Sequence, residues 1–282
     1  MDDIHSINEA INKKAGRKLI PSILVSLSIL AVVFGTIIYI PILFGVFIWF
    51  AIMLAIREIV HAYKQGGIEL PEFPLQLAGT ALLVSAWYGR VSGLAVAIAI
   101  CIPNLLVYLL VKTSKDFIKR STAATFAIFY IPFLAGFILL LAHHEDGAAR
   151  IFALVVLVSC NDTFAYIFGV LFGKHPLAPH ISPKKTWEGL IGALIATTVG
   201  SALVFHFSLH SHWWLGALIG VMAVVTATCG DLIESAVKRD LAIKDMGAIL
   251  PGHGGILDRI DSVLFTGPAV WFVLELIKHF NL

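Results

Sequence analysis

The stretch LIPSILVSLSILAVVFGTII, residues 19–38, carries no charged side chain over its whole length. A helix of about 20 apolar residues spans the hydrocarbon core of a bilayer. Comparable runs recur along the chain of 282 residues, of which 59% are hydrophobic and only 13% are charged. Soluble domains carry about 25% charged residues, so the composition predicts an all-α polytopic membrane protein.

The apolar runs predict about nine membrane-spanning helices in one membrane domain, residues 19–282. The third and fourth helices are separated only by Gly89 and Arg90. Residues 1–18 are predicted to form an interfacial segment on the cytoplasmic side. The nine helices are expected at residues 19–38, 41–60, 74–89, 91–111, 122–142, 149–172, 187–206, 213–230 and 261–280.

The basic residues orient this bundle. Of the 20 Lys and Arg, all except Arg90, Arg150 and Lys278 fall on the side that would hold the N-terminus and the loops after helices 2, 4, 6 and 8. Because Lys and Arg concentrate on the cytoplasmic side of membrane proteins, that side is predicted to be cytoplasmic. The pattern therefore predicts a multi-pass protein of the cell membrane.

Charge and cysteine usage exclude other classes. The net charge is +2 and the basic residues are scattered, which argues against a nucleic-acid partner. The three cysteines, Cys101, Cys160 and Cys229, lie in or at the ends of apolar runs. Their number and spacing suit neither a disulfide framework nor a metal site.

Two polar segments, residues 160–192 and 229–262, follow the sixth and eighth predicted helices and are predicted to be catalytic loops on the same face. In the first, Asp162 lies inside a predicted helix, where a carboxylate is costly unless it is paired or faces a polar cavity. Such a residue is a candidate for function rather than packing.

The sequence Ser182-Pro183-Lys184-Lys185 has the form of an N-cap followed by proline at the first helical position. Two lysines in a first helical turn would oppose the helix dipole. They make sense if an anion binds there to the helix N–H groups and the ammonium groups together. The alternative is ordinary positive-inside lysines beside an interfacial Trp187.

The second segment carries an acidic cluster. Asp231, Ser235 and Lys238 fall on one helical face, and Glu234 with Lys238 forms an i, i+4 pair. The glycine-rich stretch LPGHGG, residues 250–255, supplies backbone N–H groups that can approach a phosphate.

Carboxylates at Asp231, Asp258 and Asp261, without Cys or paired His, describe a hard-cation site for Mg²⁺. The alternative is a local ion pair within Asp258-Arg259-x-Asp261. A further carboxylate, Glu58, is interpreted as pairing with Arg57 or His61.

Two runs of residues form a recognisable pattern. They are FGKHPLAPHISPKKTWEG within 160–192, and Ser235-x-x-Lys238-Arg239-x-x-x-x-Lys244-Asp245 followed by Pro251-Gly252-His253-Gly254-Gly255-x-x-Asp258-Arg259-x-Asp261. These runs resemble the signature of the phosphatidate cytidylyltransferases, also called CDP-diacylglycerol synthases. Beside Asp162, two residues depart from the pattern of the bacterial members, Asn161 and Phe164.

This resemblance implies a Mg²⁺-dependent transfer of the cytidylyl group of CTP to phosphatidic acid at the cytoplasmic face of the bilayer, which releases pyrophosphate. It implies that Asp231, Asp258 and Asp261 hold the metal and that Lys185 and Lys238 act in catalysis. The implied substrate-binding residues are Asp162, Ser182, Lys184, Thr186, Ser235, Arg239, Lys244, His253, Gly254 and Arg259.

Two other classes share these features. A CTP-dependent polyprenol or phytol kinase would also be an apolar enzyme with basic cytoplasmic loops. A transporter would be expected to carry ionisable residues near the middle of the bilayer, whereas here the charges crowd at one face. The oligomeric state is left open, and a homodimer is one possibility.

Overall fold

The structure is a computed structural model that describes residues 19–112, 115–247, 249 and 254–280. The predicted interfacial segment, residues 1–18, lies outside the described residues. The helices are α1 (Leu19–Tyr39), α2 (Pro41–Gln65), α3 (Glu72–Lys112), α4 (Phe117–Ile128), a π-helical turn (Phe129–Phe133), α5 (Leu134–Ala142), α6 (Gly147–Phe172), α7 (Trp187–Phe207), α8 (Trp213–Asp240) and α9 (Leu257–Phe280), and the strands are β1 (Pro176–Ala178) and β2 (Ser182–Thr186).

The predicted class, an all-α polytopic membrane protein, is confirmed. Helices dominate because each one satisfies its own backbone hydrogen bonds, as a lipid environment requires. Within the described residues, seven helices are long and apolar enough to cross a membrane, with α4, the π-helical turn and α5 counted as one. Large apolar side chains such as Leu171, Ile195 and Leu218 are more than half exposed, as expected of lipid-facing positions.

The seven include α3 as a single helix, although its two halves run antiparallel. Arg90 adopts a positive φ of 53°, which breaks the helix at the predicted boundary between the third and fourth spans. A Cβ on Gly93 would collide with the backbone of Ser85, and Cys101 Sγ lies 4.0 Å from the carbonyl oxygen of Ala78. In a straight helix these residues would be far apart, so the chain folds back at Arg90. The total of nine spans stays a prediction.

The segment between α4 and α5 contains one π-helical turn, Phe129–Phe133. Pro132 has no N–H to donate to the preceding turn, and such a gap in the hydrogen-bond ladder is a usual cause of helix distortion. The turn is buried, and Tyr130 is only 2% exposed.

Small residues let the last four helices approach closely. Gly192 on α7 packs against Phe168, and a Cβ on Gly220 of α8 would lie 2.7 Å from Thr198 Cα. Gly230 faces the carbonyl oxygen of Asp261 on α9, where an added Cβ would lie 2.6 Å away. Close contact through small residues is the usual way in which helices associate in membranes.

This packing places both polar segments at the same end of the bundle. The ends of α6 and α8 and the beginnings of α7 and α9 meet there, together with the antiparallel hairpin of β1 and β2. The first thirteen residues of 160–192 and the first twelve of 229–262 are helical, because α6 continues to Phe172 and α8 to Asp240. Outside the helices, the described residues of the two segments are therefore 173–186, 241–247, 249 and 254–256.

Candidate active site

The hairpin of β1 and β2 corrects the prediction for Ser182-Pro183. Ser182–Thr186 forms a strand, and α7 begins at Trp187. The N-cap is Thr186, whose Oγ1 accepts a hydrogen bond of 3.1 Å from Gly189 N. The predicted helix start was wrong because Ser-Pro also suits an extended chain, whereas Thr186, with φ −126° and ψ 154°, supplies the actual cap.

Lys184 and Lys185 consequently lie on a strand rather than in a first helical turn. Neighbouring side chains of a strand point to opposite faces, so the two lysines have different surroundings. Lys184 is exposed, whereas the Lys185 side chain is 24% exposed and its Nζ lies 2.7 Å from Asp231 Oδ2.

A second contact docks the hairpin on α8. Arg239 Nε donates to the carbonyl oxygen of Ile181 at 3.2 Å. Ser235 Oγ donates to Asp231 Oδ1 at 3.3 Å, so Asp231 is held from the hairpin and from its own helix. The prediction that the two polar segments share one face and one site is supported by these contacts.

Lys238 lies between two buried carboxylates. Its Nζ pairs with Glu234, as the i, i+4 spacing predicted, and lies 2.9 Å from Asp258 Oδ1. The side chains of Glu234 and Asp258 are only 2% and 5% exposed. Asp258 is therefore paired with Lys238 of α8. The alternative of an ion pair within residues 258–261 did not include this lysine.

Asp258 also organises the segment that precedes α9. Its Oδ2 accepts hydrogen bonds from Gly255 N at 2.7 Å and from Met246 N at 3.1 Å. Gly254, with φ 80°, packs against the same oxygen, and a Cβ there would lie 2.9 Å from it. This close approach explains a glycine at position 254.

Three other carboxylates lie within electrostatic range of one another. Asp162, Asp231 and Asp261 are near enough to interact electrostatically, and Arg259 and Lys185 lie within range of Asp162. Asp261 is 7% exposed, and its Oδ1 accepts from Ser262 N at 2.7 Å. Like charges held this close favour a bound cation or the cationic part of a ligand complex.

A cavity of about 210 Å³ opens beside this group. It combines acidic, basic and hydroxyl side chains with an apolar wall. The lining residues are Asn161, Asp162, Ala165, Tyr166, Leu177, Lys185, Thr186, Gly189, Leu190, Thr228 and Asp231. Four of the predicted site residues, Asp162, Lys185, Thr186 and Asp231, line this one cavity.

A larger cavity, of about 680 Å³, lies at the opposite end of the bundle and is lined by Arg150, Lys278 and three histidines among others. Neither polar segment contributes to it. Volume alone would select this cavity, but the convergence of charged groups from both segments selects the smaller one.

Oxygen donors around the smaller cavity suit a hard cation. Asp162 and Asp231 line the cavity, and Asp261 lies within electrostatic range of both. The buried Asn161 Oδ1 has no hydrogen-bond partner among the described residues. The described residues contain no ready-made group of three or more His, Cys, Asp or Glu that would hold a metal alone. Mg²⁺ characteristically takes one or two carboxylates and completes its shell with substrate phosphates, so the donor set fits it.

The remaining predicted residues are spread around the site. Lys244 is exposed on the segment after α8, and Ser182 is half-buried at the start of β2. His253 lies outside the described residues. Ser182 lies on the hairpin and Lys244 lies on the segment after α8. Both residues are close to the acidic group in sequence.

Glu58 on α2 was misinterpreted from the sequence. Its carboxylate is 4% exposed and accepts hydrogen bonds of 2.9 Å from Ile256 N and from Leu257 N, at the start of α9. Arg57, the predicted partner, lies 4.0 Å from Glu72 instead. The sequence signal for this role was a carboxylate inside an apolar helix. We name the contact of Glu58 with Ile256 N and Leu257 N the Glu58 clamp.

Comparison with known proteins gives the class. Residues 21–277 match a family model described as the cytidylyltransferase family. The chain belongs to this family, which confirms the predicted resemblance, and it is an enzyme of the nucleotidyltransferase class.

Relatives of known name extend along nearly the whole chain. The phosphatidate cytidylyltransferase of Mycobacterium leprae is 37% identical over 280 residues, which cover 94% of this chain and 90% of that protein. The protein of the same name from Mycobacterium bovis is 35% identical over 277 residues, covering 94% and 90%. That of Staphylococcus haemolyticus is 34% identical over 257 residues, covering 87% and 97%.

Proposed function

We propose that the chain transfers the cytidylyl group of CTP to phosphatidic acid and forms CDP-diacylglycerol and pyrophosphate, with Mg²⁺, at the cytoplasmic face of the cell membrane. The names of the relatives support the substrates. The observation that supports the proposal is the contact of Lys185 with Asp231, because it joins the basic strand β2 to the acidic end of α8.

In the proposed reaction, a phosphate oxygen of phosphatidic acid attacks the α-phosphorus of CTP. The bond from that phosphorus to the β-phosphate oxygen breaks, and pyrophosphate leaves with the bonding electrons. Such a transfer needs positioning and charge stabilisation more than covalent work by the protein. A site at the membrane boundary lets a soluble nucleotide meet a lipid headgroup.

The basic residues have two proposed roles, phosphate binding and the positioning of α9. Lys185 is placed to leave Asp231 and bind a phosphate when substrate enters the cavity, and Arg239 and Lys244 supply further positive charge beside the hairpin. Lys238 pairs with both Glu234 of α8 and Asp258 of α9 and thereby holds the start of α9 against α8. When bound, Mg²⁺ would be held by Asp231 and Asp261, as the resemblance implies, and would offset the charge of the triphosphate. We propose Asp162 as the third ligand in place of Asp258, because Asp258 is engaged by Lys238 and by two backbone N–H groups.

Labelled CTP tests this function against the alternatives. With purified protein, Mg²⁺ and phosphatidic acid, label from [α-³²P]CTP is expected in the lipid fraction and label from [γ-³²P]CTP in pyrophosphate. A lipid kinase would instead place the γ-label in lipid. If neither label enters the lipid fraction, the proposal is contradicted. Membership of an enzyme family already argues against a transporter.

Lys185→Ala is expected to lower kcat/KM for CTP at least about tenfold, equivalent to ~1.4 kcal/mol. The change removes the ammonium group nearest Asp231 and leaves the helices untouched. Lys184→Ala is the matched control, since Lys184 is exposed on the other face of the same strand and its loss is expected to cost less than about threefold. Equal effects of the two variants would contradict the placement of Lys185 in the site.

The orientation is tested by cysteine labelling in a variant without Cys101, Cys160 and Cys229. Single cysteines at positions 145 and 210 are expected to react with an impermeant thiol reagent outside the cell. Cysteines at positions 116 and 179, at the end of the bundle that holds the site, are expected to stay unlabelled until the membrane is opened. The reverse pattern would place the site on the side that lacks CTP.

A further inference from the structure

Tyr130 lies in the π-helical turn between α4 and α5, far in sequence from both polar segments. Its ring stacks on Phe126 at a centroid distance of 5.1 Å and meets Phe265 of α9 at 5.9 Å. A π-helical turn displaces the residues around it relative to a regular helix, and such turns are frequent at functional sites. Here the turn sets the Tyr130 ring against α9.

The Tyr130 hydroxyl is buried and has no hydrogen-bond partner among the described residues. A buried hydroxyl without a partner is costly, whereas phenylalanine would fill the same space at no such cost. The hydroxyl therefore calls for an explanation beyond packing.

The contact with Phe265 places the Tyr130 ring beside the part of α9 that carries Asp261. Phe265 lies one helical turn beyond Asp261, and both residues lie against Gly230 of α8. The Tyr130 hydroxyl is within electrostatic range of Asp261, Glu234, Asp231 and Asp258. An ionised carboxylate only accepts hydrogen bonds, so a phenol beside it acts as the donor.

We infer that Tyr130 is a positioning residue for the acidic group, whose hydroxyl donates a hydrogen bond to the Asp261 carboxylate when CTP fills the site. This inference rests on the proposed function, because it needs Asp261 to act in the transfer. Together with the hydrogen bond from Ser262 N to Oδ1, this bond holds the Asp261 carboxylate in one orientation. Tyr130 itself stays out of contact with CTP, since it is only 2% exposed.

Tyr130→Phe removes only the hydroxyl and retains both ring contacts. We expect kcat for label transfer from [α-³²P]CTP to fall at least about tenfold, as for loss of one hydrogen bond to a charged group. The KM for CTP is expected to stay within about twofold, and the melting temperature in detergent is expected to stay equal or rise. Tyr63→Phe is the control, because Tyr63 is also buried near this end of the bundle but lies outside the site, and wild-type kinetics are expected.

A kcat within twofold of wild type would overturn the inference. So would a lowered melting temperature that accompanies the loss of kcat, because Tyr130 would then act through packing. A change confined to KM would likewise contradict a positioning role. If wild-type protein places no α-label in lipid, the proposed function fails instead, and that result is distinct from an inactive Tyr130→Phe beside an active wild type.

Discussion

Asp261→Asn is expected to abolish cytidylyl transfer while the helical bundle stays folded. Asp261 faces Asp162 and Asp231 from the second turn of α9 and is nearly buried. Asparagine keeps an oxygen that accepts from Ser262 N, so the local hydrogen bond survives. It removes the negative charge that we propose for holding the cation, a change expected to lower kcat at least about 10³-fold, or ~4 kcal/mol.

The measurement is label transfer together with thermal unfolding in the same detergent. The melting temperature is expected to be unchanged or higher, because one of three mutually repelling charges is gone. Asp240→Asn makes the same chemical change at the exposed end of α8 and is the matched control. Activity of Asp261→Asn within tenfold of wild type would remove Asp261 from the site.

Lys238→Met is expected to produce the largest loss of stability. Lys238 is 19% exposed in its side chain and is the cation between Glu234 and Asp258, both almost fully buried. Methionine preserves the length and apolar stem of the side chain but removes the cation that pairs with both carboxylates. Removing one partner of a buried ionic group typically costs 3–5 kcal/mol, so the free energy of unfolding is expected to fall by about that amount.

Restoration by a second change separates this charge effect from lost packing. Glu234→Gln in the Lys238→Met background removes one of the two unpaired charges and is expected to recover at least about 1 kcal/mol. Chemical denaturation of the single and double variants gives the comparison. A double variant less stable than Lys238→Met alone would show that the charge balance is not what Lys238 supplies.

The helices were predictable because their cause is local. An apolar run of sufficient length must form a helix in lipid, and the break at Arg90 fell where the sequence places Gly89-Arg90 between two such runs. The pairing of Glu234 with Lys238 was predictable for the same reason, since residues four apart are neighbours on a helix. Convergence of the two polar segments followed from the alternation of helix direction.

What escaped prediction depends on contacts between distant residues or on competition between local alternatives. Ser182-Pro183 suits a helix start and an extended chain equally, and the hairpin decides in favour of the strand. The spacing of Asp258 and Asp261 places them on one helix, but it does not show that Asp258 bonds Lys238 and the backbone before α9. Tyr130 carries no sequence signal, because its neighbours come together only through the packing of α9.

The Glu58 clamp connects α2, which lies outside the signature, to α9, which carries part of it. All signature residues lie beyond α5, yet the first free N–H groups of α9 are bound by a carboxylate from α2. A fragment beginning at α6 would keep every motif and lose that cap, leaving the helix that carries Asp258 and Asp261 without its anchor. The apolar N-terminal half of the chain thus helps to hold this helix in place, and a fragment reduced to the motifs is expected to lose activity.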